Sequence, residues 1–320
     1  MLVDAQSREI VGNVQAMACP ITVRAVRGAE SIDELSAGVR QALAVFTDVQ
    51  AACTRFDEDS PLMRANAQPD RWNALPAYCY DAVSEAYAAY LATGGRFDPR
   101  IHRDLTRLGY ARSMADGAPS PRELPAALPA QRDALPVWHP DFRPDSREIL
   151  LGEHSIDLGG IGKGLAVRWA ANRLRALGIG ALVEAGGDIS CRGQAPEGGP
   201  WRVAVEDPAG GEPLAVLCLS DLGCATSSVR LRRWRVGSEQ AHHLLDPRTG
   251  RPGGPGLLAV TVLHPDPATA EVWSKTLFLA GRNGIGAMAE EHQLPALWVA
   301  ESGHLTCTPS MRPHLLWTAA

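Results

Sequence analysis

Residues 157–167 read DLGGIGKGLAV: an aspartate, then four glycines among six residues, then the apolar start of a helix. Glycines that feed a helix leave its first N–H groups open, and those groups together with the helix dipole favour an anion. Two well-known phosphate loops do not fit. A P-loop has four residues between its glycines and a Ser or Thr after its lysine, whereas here Gly164 follows Lys163. The GxGxxG fingerprint fails as well, because after Gly160 and Gly162 the next glycine, Gly164, comes too early. A tight strand-to-helix turn with Lys163 in solvent is the plain alternative, and for a lone glycine turn it is the preferred reading.

Its flanks indicate the fold class. Upstream, EILL (148–151) reads as a strand; downstream, Leu165, Trp169, Leu174 and Leu177 form a helical stripe closed by Gly178, followed by the strand ALVEAGGDI (181–189). Further strands are expected at ITVRAV (21–26), WRVAVEDP (201–208), LAVLCLSD (214–221) and LLAVTVLHP (257–265), and the C-terminal PALWVAESGHLTCTPSM (295–311) should be a hairpin turning at Glu301, Ser302 and Gly303. Leu35, Val39, Leu43, Phe46 and Val49 predict a helix over 31–52, with Ser31 and Glu34 as a capping box. A second helix is expected from Tyr80 to Thr93, ended by Gly94 and Gly95. Residues 112–145 hold seven prolines (119, 121, 125, 129, 136, 140 and 144), so they should form an irregular loop or insertion. Hairpin-like and crossover connections together indicate an α+β fold, and no internal repeat is visible.

Composition narrows the function. With 45% hydrophobic and 21% charged residues in 320, the chain has the make-up of a globular protein with a full core. A net charge of -5 with scattered arginines offers no electrostatic footprint for nucleic acid, so none is expected as a partner. No stretch approaches the run of about 20 apolar residues that spans a bilayer, and the first twenty residues lack a signal-peptide pattern, so a cytoplasmic location without a membrane partner is expected. Seven cysteines without CxxC spacing point to reduced, mostly buried thiols rather than disulfides or zinc.

Three further stretches could carry chemistry. HHLLDPRTGRP (242–252) packs turn-forming residues around Asp246 and Gly250. Its adjacent His242 and His243 would point to opposite faces of a strand, which leaves one of them free to act as a base. GGRFDPR (94–100) follows a helix-ending glycine pair, and AGGDI (185–189) has small residues that let a ligand approach the backbone. AEVWSKTLFLAG (270–281) sets Glu271 and Lys275 one helical turn apart, the spacing of an ordinary surface salt bridge contributing about 0.3–0.5 kcal/mol.

In this order and spacing the motifs resemble the ApbE-like FAD:protein FMN transferases over nearly the whole chain. AMACPITV (16–23), CTRFDEDSPLMRAN (53–66), GGRFDPR, DLGGIGKGLAV, AGGDI, CATSSVRLRRW (224–234) and HHLLDPRTGRP each resemble that family's motif at the same place. The resemblance implies one α+β domain of two intimate subdomains, mixed or antiparallel sheets flanked by helices, with FAD in the cleft between them. It implies transfer of FMN from FAD to a threonine hydroxyl of an acceptor protein, with release of AMP. Met17, Phe56, Arg96, Phe97, Asp98, Lys163 and Leu245 match the family's flavin-contacting places, and His243 matches the residue cast as the base.

The resemblance also implies a divalent cation, usually Mg²⁺, held by a backbone carbonyl matching Ala166 and by an Asp and a Thr whose places are taken by Glu271 and Lys275. Glu271 keeps an oxygen ligand; an ammonium has donors only and cannot ligate a metal. Lys275 is therefore expected to supply part or all of the metal's charge to the FAD pyrophosphate. Ala18, Cys19 and Ser228 are lesser departures from the family pattern. The competing expectations are a FAD-binding protein with little or no transferase activity, and a FAD pyrophosphatase that uses water as acceptor.

Overall fold

The computed structural model describes residues 8–113 and 124–319. Its centre is an eight-stranded sheet in which every neighbour is antiparallel and the strands follow one another in chain order: Glu9–Ala16, Cys19–Val26, Gly180–Ala185, Asp188–Gly193, Leu222–Ser228, Leu257–His264, Ala296–Ala300 and Leu305–Cys307. The long excursion between the second and third strands carries most of the helices. Thus the α+β expectation holds, with an antiparallel sheet.

The sheet is covered on both faces, and the sequence shows why. In Gly180–Ala185 five of six residues are buried: Ala181, Val183 and Ala185 pack with the helices on one side, and Leu182 faces the other. On the helical side lie α1 (Ile32–Cys53) and α5 (Gly162–Arg173), joined further along the sheet by α6 (Pro267–Leu279) and α7 (Gly281–Glu291). On the opposite side the predicted strands Trp201–Val205 and Ala215–Leu219 pair antiparallel, and Leu315–Thr318 adds a third strand to them. Between α1 and α5 in sequence come α2 (Pro61–Ala67), α3 (Ala77–Ala92) and α4 (His102–Arg107). The first two of these enclose a second core with Trp138, Ile149 and Ile156.

Local signals act as expected at several ends. Ser31 and Glu34 form both halves of the capping box on α1. Helix α3 starts at Ala77, three residues before the predicted Tyr80, and ends at Ala92, with Thr93 as its C-cap before Gly94 and Gly95, both at positive φ. The C-terminal hairpin turns at Glu301–Gly303, with the Ala300 N–H donating to the His304 carbonyl. Of the proline-rich segment, residues 124–140 are irregular, and Asp141–Arg143 is a short strand. Trp138 anchors this stretch in the core, its indole N–H donating to the Leu151 carbonyl. Residues 114–123 of that segment lie outside the described residues.

The strand Glu9–Ala16 is not anticipated by the sequence reading. Its link to Cys19–Val26 is a two-residue hairpin turn of Met17 and Ala18, both at positive φ, where Asn-Gly is usual. Left-handed backbone at two non-glycine residues is stored strain of the kind found at functional sites.

Helices α5 and α6 approach closely at Gly164. A Cβ there would lie 2.7 Å from the Ala268 Cα and 2.8 Å from the Pro267 carbonyl oxygen, both backbone atoms that cannot swing aside. Gly164→Ala is therefore expected to destabilise the protein by about 1–3 kcal/mol, the usual cost of overpacking. Chemical denaturation checks this; an unchanged midpoint would mean that the helices have room to part.

Candidate active site

The strained hairpin, the end of α1, the 94–100 loop, the start of α5, the 243–247 loop and α6 surround one cleft of about 380 Å³. Every residue matched to a flavin contact lines it: Met17, Phe56, Arg96, Phe97, Asp98, Lys163 and Leu245, and so do Lys275 and His243. Ala166 and Glu271 are not in the lining; both are fully buried. The lining is mostly apolar with a few convergent polar groups, the usual composition of a small-molecule site.

One wall is built around Arg55. Its guanidinium pairs with Asp157 at 2.5 Å, donates to the Tyr110 carbonyl at 2.6 Å, and sits 4.2 Å and 4.4 Å from the ring centres of Phe56 and Tyr110. Phe56 nevertheless stays 40% exposed. Asp157 also accepts the Gly159 N–H, which shapes the start of the glycine segment. Gly160 is required here, since a Cβ would fall 2.8 Å from the Phe97 ring and 3.5 Å from the Lys275 Cδ. Asp98 lies at the cleft, but Arg100 holds both of its oxygens, at 2.6 Å and 3.0 Å.

Behind the glycine turn, four charges from three segments meet. Lys163 bonds the Asp188 carboxylate and reaches Glu271 Oε1 at 2.9 Å; Lys275 reaches the same oxygen at 2.9 Å; and the Gly164 N–H donates to Glu271 Oε2 at 2.7 Å. Lys163 is thus not in solvent, nor is Glu271–Lys275 a surface pair: Glu271 is 0% exposed and the Lys275 side chain 16%. Glu271 also satisfies a free N–H in the first turn of α5, the task of a helix-capping carboxylate.

The charge states follow from this packing. Burial disfavours the ionised Glu271, but Lys163 and Lys275 outweigh it and hold the carboxyl down at about 2. Burial, and then the neighbouring Glu271 charge, push Asp188 up to about 6 against the pull of Lys163. Burial opposes the charge on Lys163 too, yet Asp188 and Glu271 together raise its pKa. Lys275 is lowered by burial, with Glu271 acting against that and Lys163 with it.

The two histidines diverge, although only His242 lies in a strand, at the end of Glu239–His242. His242 meets Phe278 edge-on, its ring centre 6.0 Å from that of Phe278, while His243 lines the cleft. Burial, then the positive charges of Arg232 and Lys275, hold His243 well below the ordinary histidine range, so it is neutral at physiological pH. Its Nδ1 is buried without a hydrogen-bond partner among the described residues.

Two residues of this site carry no sequence signal. Asp188 lies in AGGDI, where nothing in the spacing marks it as the partner of a lysine. Arg232 stands in the basic run RLRRW, yet it lines the cleft beside His243 and Lys275, and its guanidinium has no hydrogen bond or ion pair among the described residues. Arg233 and Arg235 of the same run are exposed.

The donor set does not suit the divalent cation that the resemblance implies at Ala166 and Glu271. Both Glu271 oxygens are already engaged, and an ammonium stands 2.9 Å from Oε1, where it would repel a metal ion. Among the described residues no group of three or more His, Cys, Asp or Glu side chains is placed to hold a metal.

The fold is that of ApbE proteins of known structure. The structure superposes on the crystal structure of an ApbE protein from Thermotoga maritima with a TM-score of 0.78, at 25% identity, covering 96% of this chain and 99% of that one. The fold is shared as well with the flavinyl transferase ApbE of Pseudomonas stutzeri in its apo form, with a TM-score of 0.76 at 23% identity over 98% and 99% of the two chains. In sequence the chain is 28% identical to the FAD:protein FMN transferase of Haemophilus influenzae, over 83% of this chain and 80% of the relative. It is 27% identical to that of Escherichia coli, over 78% and 72%. The ApbE family pattern matches residues 17–298, and the chain belongs to the ApbE family.

Proposed function

We propose that this chain is a FAD:protein FMN transferase, moving FMN from FAD to a threonine hydroxyl of an acceptor protein. The observation that carries the reading is the placement of His243, neutral and with an unpartnered buried nitrogen, in the same cleft as an apolar flavin-sized wall and a set of cations. Met17, Phe56, Phe97 and Leu245 face the flavin ring. Arg96, Arg232 and Lys275 meet the phosphates. The acceptor hydroxyl oxygen attacks the phosphorus on the riboflavin side; a new P–O bond forms, the bridging P–O bond breaks, and AMP leaves with the bridging oxygen. His243 takes the hydroxyl proton. Positioning and charge neutralisation supply most of the acceleration in such a step. Seven unpaired thiols suit a reducing compartment, in agreement with a cytoplasmic enzyme, and no described helix is long and apolar enough to cross a membrane.

His243 sets the pH dependence. A depressed pKa leaves the base unprotonated down to a lower pH, so kcat/KM, which reports the free enzyme, should stay level as pH falls through the ordinary histidine value of about 6.5. A profile dropping tenfold per unit from pH 6.5 downward would remove His243 as the base. Once FAD is bound, its phosphate charges offset those of Arg232 and Lys275, which restores basicity when the proton must be taken.

Lys275 in a ligand's place favours a second reading, a FAD carrier without turnover. Product analysis separates the cases. With an acceptor, transfer releases AMP in equal number to labelled protein; a pyrophosphatase releases AMP and free FMN; a carrier releases neither.

A further inference from the structure

We propose that Arg232 and Lys275 form a built-in cation clamp for the FAD pyrophosphate, so that the protein binds FAD without a divalent metal ion. This rests on the reading of the cleft as a FAD site.

Charge accounting on the described residues supports it. Lys163, Lys275, Asp188 and Glu271 are mutually paired and together neutral, so the tetrad presents no excess negative charge for a metal ion to balance. Arg232 adds one positive charge that has no paired carboxylate among the described residues. A half-buried guanidinium without a partner is costly to hold in a cleft unless an anion completes it. Its planar fork suits phosphate oxygens, and Lys275 adds a point charge.

The two cations reach the same spot from different elements. Both act on His243, and Lys275 also flanks Gly160 at the start of the glycine turn. Phosphates held there lie beside the base and the glycine turn that starts α5. Lys275 keeps its position because its ammonium is tied to Glu271, which is itself fixed by Lys163 and the Gly164 N–H. The amine is therefore rigid and only one of its three protons is taken within the tetrad. With the ligand position filled by an ammonium and both Glu271 oxygens engaged, metal dependence is replaced by fixed charge.

The test is FAD titration of the wild-type protein by flavin fluorescence, in EDTA and in excess Mg²⁺, with riboflavin as the phosphate-free probe. FAD affinity should agree between the two conditions within about twofold, inside the scatter of a titration. Arg232→Gln and Lys275→Thr should each weaken FAD by about ten- to hundredfold in EDTA, the size of one charge-assisted hydrogen bond, and leave riboflavin unchanged. Lys275→Thr should in addition become responsive to Mg²⁺. FAD binding by the wild type that needs Mg²⁺ overturns the clamp while leaving the proposed function standing. An Arg232→Gln variant with unaltered FAD affinity also overturns it; the guanidinium holds no hydrogen bond or ion pair among the described residues, and an unchanged circular dichroism spectrum checks that the variant is folded. Failure to bind FAD in either condition overturns the proposed function and the clamp with it.

Discussion

Replacing His243 with alanine is expected to lower the rate of FMN transfer by about 10²–10⁴-fold, the usual contribution of a general base, and to leave FAD affinity nearly unchanged. The separation of the two effects follows from the site. His243 touches the cleft, but its Nδ1 has no hydrogen-bond partner among the described residues, so its loss breaks no hydrogen bond of that atom there. Flavin binding rests instead on Met17, Phe56, Phe97 and Leu245 and on the cations. Single-turnover transfer and FAD titration on the same variant measure the two quantities. Collapse of FAD affinity with normal residual turnover would make His243 a packing residue.

Lys163→Met is expected to cost stability rather than chemistry alone. Lys163 stands between Asp188 and Glu271, whose side chains are 1% and 0% exposed, and its removal leaves two buried carboxylates sharing only Lys275. Breaking such an arrangement from one side costs about 3–5 kcal/mol, a fall of about 4–7 °C in melting temperature for a chain of this size. Lys275→Met should cost less, since Glu271 then keeps Lys163 and the Gly164 N–H.

Acid distinguishes the two carboxylates. Glu271 is held at about 2, below its unfolded value of 4.5, so its contribution is present above pH 4.5 and lost as pH falls towards 2. Asp188, raised from 3.8 to about 6, acts the other way: its contribution is present below 3.8 and lost as pH rises through 6. In Lys163→Met, Asp188 loses its ion-pair partner and Glu271 one of its two, so both carboxyl groups rise and the variant should gain stability on going from pH 7 to pH 5. A pH-independent deficit would mean that the loss comes from packing alone.

Much of this fold is legible because its cues are local. The capping box at Ser31, the alternation in WRVAV and the turn at Glu301–Gly303 depend on residues within a few positions of one another. Glu9–Ala16 is missed because its turn is made by Met17 and Ala18, which carry no hairpin signal and adopt positive φ only under constraint from the surrounding structure. The site divides in the same way. Its lining residues lie in motifs whose order along the chain marks them out. The charge tetrad does not, since Lys163, Asp188, Glu271 and Lys275 come from α5, a mid-sheet strand and α6, and the pairing that turns a surface-like Glu-Lys spacing into a buried network exists only in three dimensions. Arg232 is hidden for a related reason: in RLRRW every arginine looks alike, and only the path of the chain sends one inward.

The central claim is covalent transfer of FMN, and the intact mass of a threonine-containing acceptor after incubation with FAD tests it most directly. With the wild-type protein in EDTA, the acceptor should gain the mass of FMN less one water, while His243→Ala gives no detectable gain over the same time. An acceptor of unchanged mass, both in EDTA and with Mg²⁺ and with FAD demonstrably bound, would contradict the transferase assignment.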